Sequence, residues 1–251
     1  MGLLDRTHWV QFELSNMCNL AWWHEKCPMH AEMASPYRFK DPRHLPAEIV
    51  YHVLDTLAEM DYKSAVYFNH YNEATVDPRL IEFIRYARKI LPTNIIEFTT
   101  NGVFLSKQLA IEMRDAGLTG LHVTLYGSQA DRNATQKRIQ RDIVPVFGPD
   151  TTGILTWGLD ERLCGYEHEY YEESQGNCYA PFSAIVITRD AEWALCCRDW
   201  KRTVTFGSLK ENTFEELLNM PEPHEAFKQL STGHREIFDV CMRCKSAITP
   251  G

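Results

Sequence analysis

Between residues 8 and 127 the period of the apolar positions switches repeatedly between that of a strand and that of a helix. HWVQFELS (8–15), SAVYFNHY (64–71), NIIEFTTN (94–101) and GLHVTLYG (120–127) are short runs rich in β-branched and aromatic residues, which predicts strands. PAEIVYHVLDTLAEM (46–60), PRLIEFIRYARKIL (78–91) and SKQLAIEMRDAG (106–117) carry apolar residues at helical spacing; the first opens on proline and the last stops on glycine. Four strands each followed by a crossover predict a parallel sheet with right-handed connections, as a barrel or an open sheet. In such sheets chemistry gathers at the carboxyl ends of the strands. The polar clusters CNLAWWHEKC, NHYNEAT, TTNG and LYGSQADR all follow strands.

The rhythm fades over 130–177, where GILTWGLD (153–160) predicts a fifth strand and ERLCGYEHEYYEESQGN an acidic, aromatic loop. From Cys178 the texture changes. AIVITRDAEWALCC alternates around a turn at Arg189–Asp190, which predicts a hairpin, and TFEELLNMPEPHEAFKQL predicts one or two short helices. The expected organisation is 1–160, a connecting loop over 161–177, and a small cysteine-bound unit over 178–251.

The chain has 251 residues, enough to bury a full core, and a net charge of −8, which argues against nucleic acid as a partner. No secretory signal opens it and no apolar run reaches the roughly 18 residues of a membrane span, so a cytoplasmic protein without membrane partners is expected. That compartment keeps thiols reduced, so the eight cysteines point to ligation of a metal or cluster rather than to disulfides. Cys178, the pair Cys196–Cys197 and the CxxC of Cys241 and Cys244 can converge as four thiolates, because a hairpin returns its second strand to the start of the first. Four thiolates suit zinc or an iron–sulfur cluster equally.

The order of these features, Cys178, hairpin, CCRD, FGSL, NTFEELLNM, Arg235 and CMRC, resembles the SPASM/twitch extension of radical S-adenosylmethionine (SAM) enzymes. Ala191 departs from it, standing where the hairpin glycine is common. The N-terminal half resembles the core of the same family, a partial (β/α) TIM-like barrel. SAVYFNHYNEATVDPRL is similar to the family's "FxGxxEPxxDP", with Asn69 and Ala74 replacing glycine and proline. The resemblance implies that Glu73 accepts a hydrogen bond from the SAM ammonium, with Asn72 beside it. TTNG carries Thr99 and Asn101, and HVTLYGS carries Thr124 and Ser128, all implied cofactor contacts; Arg138 or Lys137 would meet the SAM carboxylate.

The family's cluster loop is CxxxCxxC, whose three thiolates leave one iron open for SAM. Here SNMCNLAWWHEKCPMH supplies Cys18 and Cys27 but no middle cysteine. His24 lies three residues before Cys27, giving C-x5-H-x2-C, and is the expected third ligand. Imidazole ligates iron in Rieske-type clusters and raises their potential. The alternatives are His30, Cys164, or a cluster with two protein thiolates or none. Cys164 also stands as a hydrogen donor to a substrate radical.

The resemblance implies an oxidoreductase or maturase with two 4Fe-4S clusters, one N-terminal and SAM-binding, the other auxiliary. Such an enzyme cleaves SAM reductively to a 5′-deoxyadenosyl radical that abstracts hydrogen from a peptide or a sugar/aminocyclitol-type small molecule. Oxidation, cross-linking and epimerisation are the implied outcomes, and flavodoxin or ferredoxin the implied reductant. Because the strand pattern begins by residue 8, no leader-recognition domain is expected ahead of the barrel. The competing expectations are a module that keeps the fold and auxiliary cluster without cleaving SAM, and a zinc-stabilised protein.

Overall fold

The computed structural model describes residues 2–21, 27, 33–35, 38–39, 41–155, 176–242 and 244. After β1 (Trp9–Phe12) come a two-stranded ribbon, β2 (Met33–Ser35) and β3 (Arg38–Phe39), and then α1 (Ala47–Glu59). The alternation continues through β4 (Ala65–Tyr67), α2 (Leu80–Ile90), β5 (Ile96–Glu97), β6 (Thr99–Thr100), α3 (Lys107–Ala116) and β7 (Leu121–Thr124). Next are α4 (Gln129–Asp142), α5 (Val144–Phe147) and β8 (Thr152–Leu155), which is the observed part of the fifth strand expected over 153–160. Beyond residue 176 follow α6 (Ala180–Ser183), β9 (Ala184–Ile187), β10 (Glu192–Ala194), β11 (Thr205–Ser208), α7 (Phe214–Asn219), α8 (Pro221–Ser231) and α9 (Asp239–Met242).

β1 pairs in parallel with β4, β4 with β5, β6 with β7, and β7 with β8. Only Phe98 separates β5 from β6, and Thr119 N–H and His122 N–H donate to the carbonyls of Ile96 and Phe98 on either side of the break. The result is a parallel arc, the partial barrel expected. Phe12, Phe68 and Phe83 stack with centroids 5.7 and 6.3 Å apart, so the even-numbered positions of β1 and the alternate positions of β4 face α2. All three are fully buried, each stabilising by about 1.5–3 kcal/mol. The other strand positions, Trp9, Gln11, Tyr67, Glu97, Thr99, His122 and Thr124, therefore line the inner face.

The expected helices form because their ends are well specified. The Ser106 hydroxyl accepts from Leu109 N–H at 3.1 Å to start α3, and Gly117, at φ +108°, ends it in a left-handed conformation that a side chain would strain.

The hairpin of the C-terminal unit belongs to the main sheet. β9 pairs in parallel with β1, from Trp9↔Ala184 to Phe12↔Ile187, and the strand order is β11-β10-β9-β1-β4-β5. At its turn Ala191 takes φ +66°, the left-handed position after a tight turn where glycine is usual. A buried ion network fastens this hairpin. Glu13 accepts from the Arg189 guanidinium and amide, both at 3.1 Å, and pairs with Arg202 at 2.5 Å. Asp190 pairs with Arg202 at 2.6 Å and with Arg43 at 2.8 Å. Among the described residues no helix is long and apolar enough to cross a membrane.

Candidate active site

The carboxyl ends of β1, β4 and β6 meet at Glu73. Its side chain is buried and accepts from Thr75 N–H (3.2 Å), the Thr75 and Thr100 hydroxyls (2.6 Å each) and Asn101 N–H (2.7 Å), while Glu73 N–H donates to Met17 carbonyl at 2.9 Å. One residue thus sets three loops relative to one another, two through its carboxylate and the third through its amide. Burial pushes its pKa up, and these donors, Asn101 N–H foremost, pull it partway back.

Asn101 carries the connection to the cysteine loop, donating to the Asn19 side-chain oxygen at 2.7 Å and to Cys18 Sγ at 3.9 Å. Leu20 N–H also donates to Cys18 Sγ, at 3.5 Å. Burial pushes the Cys18 thiol up to about 12 despite these donors. Cys18 and Cys27 pack with Met17 and Tyr71 against Ala21, so two of the expected N-terminal ligands stand together. His24, His30 and Cys164 lie outside the described residues.

The other sequence candidates divide. Asn72 Nδ2 and Thr124 Oγ1 are buried with no hydrogen-bond partner among the described residues, a state that costs about 1–3 kcal/mol per group and fits a bound polar ligand. Thr99 N–H donates to the Asn69 side chain at 2.7 Å, which gives the residue in the family's glycine position a local task. Ser128 is exposed and its hydroxyl caps α4 in a reciprocal pair with Asp131. Arg138 directs its guanidinium to the carbonyls of Leu105 and Gly102, bracing the loop after β6. In this geometry Ser128 and Arg138 are supports of the rim.

Beside the β9–β10 hairpin, Cys178, Cys196, Cys241 and Cys244 line one cavity together with Ala180, Pro181, Arg198, Arg235 and Val240. Cys197 is exposed and outside this lining, whereas its neighbour Cys196 is buried and part of it. Adjacent residues of the turn point apart, and Arg198 N–H donates to Cys196 Sγ at 3.4 Å. Burial pushes Cys196 well up and Cys241 to about 12, so this is a poor home for bare thiolates and a good one for thiolates neutralised by metal. Arg235 is buried and donates to Gly176 carbonyl (2.8 Å), Cys244 carbonyl (3.0 Å) and Asn177 carbonyl (3.5 Å), stitching together the two chain segments that carry Cys178 and Cys244. Among the described residues no three Cys, His, Asp or Glu side chains close on a single-ion site. Four thiols lining one cavity are a donor set that suits an iron–sulfur cluster or zinc.

Tyr71 joins the two thiol regions. Tyr71, packed beside Cys18 and Cys27, donates its hydroxyl to Cys197 carbonyl at 2.5 Å.

Residues 178–245 match the SPASM family, an iron–sulfur cluster-binding domain. Comparison with curated proteins finds no match. Among solved structures, the chain is similar to BtrN in complex with AdoMet (that is, SAM) and 2-DOIA, at 18% identity and a TM-score of 0.74, covering 96% of this chain and 93% of that one. It is also similar to BtrN in an open conformation (15% identity, TM-score 0.70, 96% and 92% covered). A third similar structure is anSMEcpe with bound AdoMet and the Cp18Cys peptide (11% identity, TM-score 0.54, 94% and 87% covered). At such identities the likeness establishes the fold. The chain has the partial-barrel fold of these structures, with the segment that matches the SPASM iron–sulfur cluster-binding domain at its C-terminal end.

Proposed function

We propose that this protein is a radical SAM enzyme that acts on a peptide or a sugar-like small molecule. The observation that carries the reading is the pairing of two thiol regions on one sheet: Cys18 and Cys27 after β1, and four cysteines around one cavity beside the hairpin paired to it. When bound, an N-terminal 4Fe-4S cluster and SAM supply the one-electron chemistry that abstracts hydrogen from an unactivated C–H bond. Cys18, Cys27 and His24 would hold that cluster, and Cys178, Cys196, Cys241 and Cys244 the auxiliary one. Asn72 and Thr124 would direct their unpartnered polar atoms to SAM, and Glu73 has acceptor capacity left on the oxygen bonded only to Asn101 N–H. Tyr71 and the hairpin would close the cavity against water. BtrN with AdoMet and 2-DOIA and anSMEcpe with AdoMet and a peptide support both substrate classes.

The test is anaerobic reconstitution with iron and sulfide counting, followed by incubation with SAM and dithionite. Two clusters and 5′-deoxyadenosine, both dependent on His24, are expected. Colourless protein containing zinc overturns the reading. The absent middle cysteine favours a second reading, a binding or electron-transfer module, which predicts one cluster and no SAM cleavage. Replacing His24 with cysteine separates the two further, because a ligand swap keeps the cluster and lowers its potential.

A further inference from the structure

One pleat below the rim formed by Asn69, Thr99 and Thr124, the inner face carries Tyr67 on β4, Glu97 on β5 and His122 on β7. These are positions i−2 on their strands and so lie about 7 Å deeper in the arc. The register places them together: Tyr67 is opposite Glu97, and Thr99 is opposite His122. One oxygen of Glu97, Oε2, accepts the Tyr67 hydroxyl at 2.8 Å and faces His122 Nε2 at 3.3 Å. Its other oxygen, Oε1, takes no hydrogen bond from any described residue. Trp9 stands beside Tyr67, ring centroids 6.0 Å apart, and Gln11 is opposite Tyr67 on β1.

The backbone is cut to make room for these side chains. A Cβ at Gly153 would stand 2.3 Å from His122 Nδ1, and one at Gly120 would stand 3.0 Å from Glu97 Oε1. Gly153, on β8, thus leaves room for the His122 ring, and Gly120, just before β7, admits both the Thr151 carbonyl, 2.4 Å from where its Cβ would stand, and Glu97 Oε1. The group also stays open: the side chains of His122 and Glu97 are 33% and 18% exposed. The hydrogen bond from His122 holds the Glu97 carboxyl below the usual range against its partial burial, with the Tyr67 hydroxyl adding to the effect. The result is an ionised carboxylate with a spare acceptor oxygen, set beside two aromatic rings on the inner wall. Carboxylate and aromatic faces together are the chemistry that recognises an organic cation.

We infer that Glu97, with Tyr67, His122 and Trp9, is the recognition floor for a substrate bearing a protonated primary amine, held beneath the rim with its reacting carbon toward the carboxyl ends of the strands. This deepens the proposed function and rests on it for the direction in which the substrate faces. A primary ammonium has three N–H donors: Glu97 Oε1 takes one, and Gln11, opposite Tyr67 on β1 with its Nε2 already donating to the Asn69 carbonyl, offers its amide oxygen to another.

The experiment uses two probes that share a ring and differ in one group, cyclohexylamine and cyclohexanol. Each is titrated calorimetrically at pH 7 into the anaerobically reconstituted protein. The amine is expected to bind at least ten-fold more tightly than the alcohol. Glu97→Gln is expected to abolish that preference, with the unfolding midpoint unchanged. Where E97Q fails to fold, Glu97→Asp serves: it keeps the charge, withdraws it by one methylene, and is expected to weaken amine binding at least three-fold with the alcohol unaffected. Equal affinity for the two probes, binding of neither, a preference that survives E97Q, or amine binding that E97D leaves unweakened overturns the inference. An amine preference in a protein that makes no 5′-deoxyadenosine leaves the recognition floor standing and defeats the radical SAM reading instead.

Discussion

Replacing Glu13 should unfasten the hairpin from the barrel. Its carboxylate is fully buried and faces Arg189, whose side chain is 4% exposed, and Arg202, 13% exposed. Glu13→Ala removes the anion and leaves two cations close together in a low-dielectric site. Breaking a buried pair costs about 3–5 kcal/mol, mostly as the penalty on the charge left behind. Arg202 retains Asp190 at 2.6 Å, which moderates its share, while Arg189 N–H loses an acceptor worth about 1 kcal/mol. The expected total is about 4 kcal/mol for E13A. Glu13→Gln keeps one acceptor and the shape, so about 2 kcal/mol is expected. The double replacement Glu13→Met with Arg189→Met removes both charges at once and should cost less than E13A alone. Urea unfolding of protein with matched iron content measures this, read by the fluorescence of Trp193, which is buried in the same hairpin. An E13A variant within about 1 kcal/mol of wild type would refute the reasoning, because it would mean that water already screens the network.

Other outcomes can be stated more briefly. Cys196→Ser should lower iron content by the share of one cluster, and Cys197→Ser should leave it unchanged; iron and sulfide analysis with electron paramagnetic resonance reads both. Burial alone would push the Asp77 carboxyl up, but hydrogen bonds from Arg79 and its charge outweigh this and hold it below the usual range. Its contribution to stability is thus full above the ordinary carboxylate range and lost as pH falls through the lower folded value, so Asp77→Asn should flatten the acid limb of urea midpoints taken from pH 3 to 7. Ala191→Gly relieves about 1–2 kcal/mol of left-handed strain but gives up a fully buried methyl group and adds chain entropy, each about 0.5–1 kcal/mol. The effects nearly cancel, and the thermal midpoint should stay within about 4 °C of wild type; a larger gain would show that the methyl packs poorly.

The alternation of apolar periods made the arc legible, since Val66, Phe68, Ile96 and Phe98 read as buried strand positions and are fully buried. α4 was missed because it is polar all round, with only Ile139 buried, so no 3.6-residue stripe exists to find. Its one signal was the S-x-x-D cap at Ser128 and Asp131. The parallel pairing of β9 with β1 was invisible too, because pairing across some 175 residues leaves no local mark. Cys196 is buried and Cys197 exposed, a difference the sequence does not mark because neighbouring side chains share every sequence context. Tyr67, Glu97 and His122 did leave a trace, as polar residues at alternate positions of apolar strands, but their convergence depends on register.

Placing β9 beside β1 has a consequence for how the molecule is made. β1 is central in the finished sheet, yet one of its edges waits for a partner translated some 175 residues later. Until the hairpin emerges from the ribosome, that strand presents unpaired amides and carbonyls to any passing edge. Assembly of the barrel and acquisition of the auxiliary cysteine site are therefore one folding event, completed late. A chain cut before residue 178 should aggregate rather than yield a stable half-enzyme, and iron–sulfur insertion should meet a sheet that closes around it last.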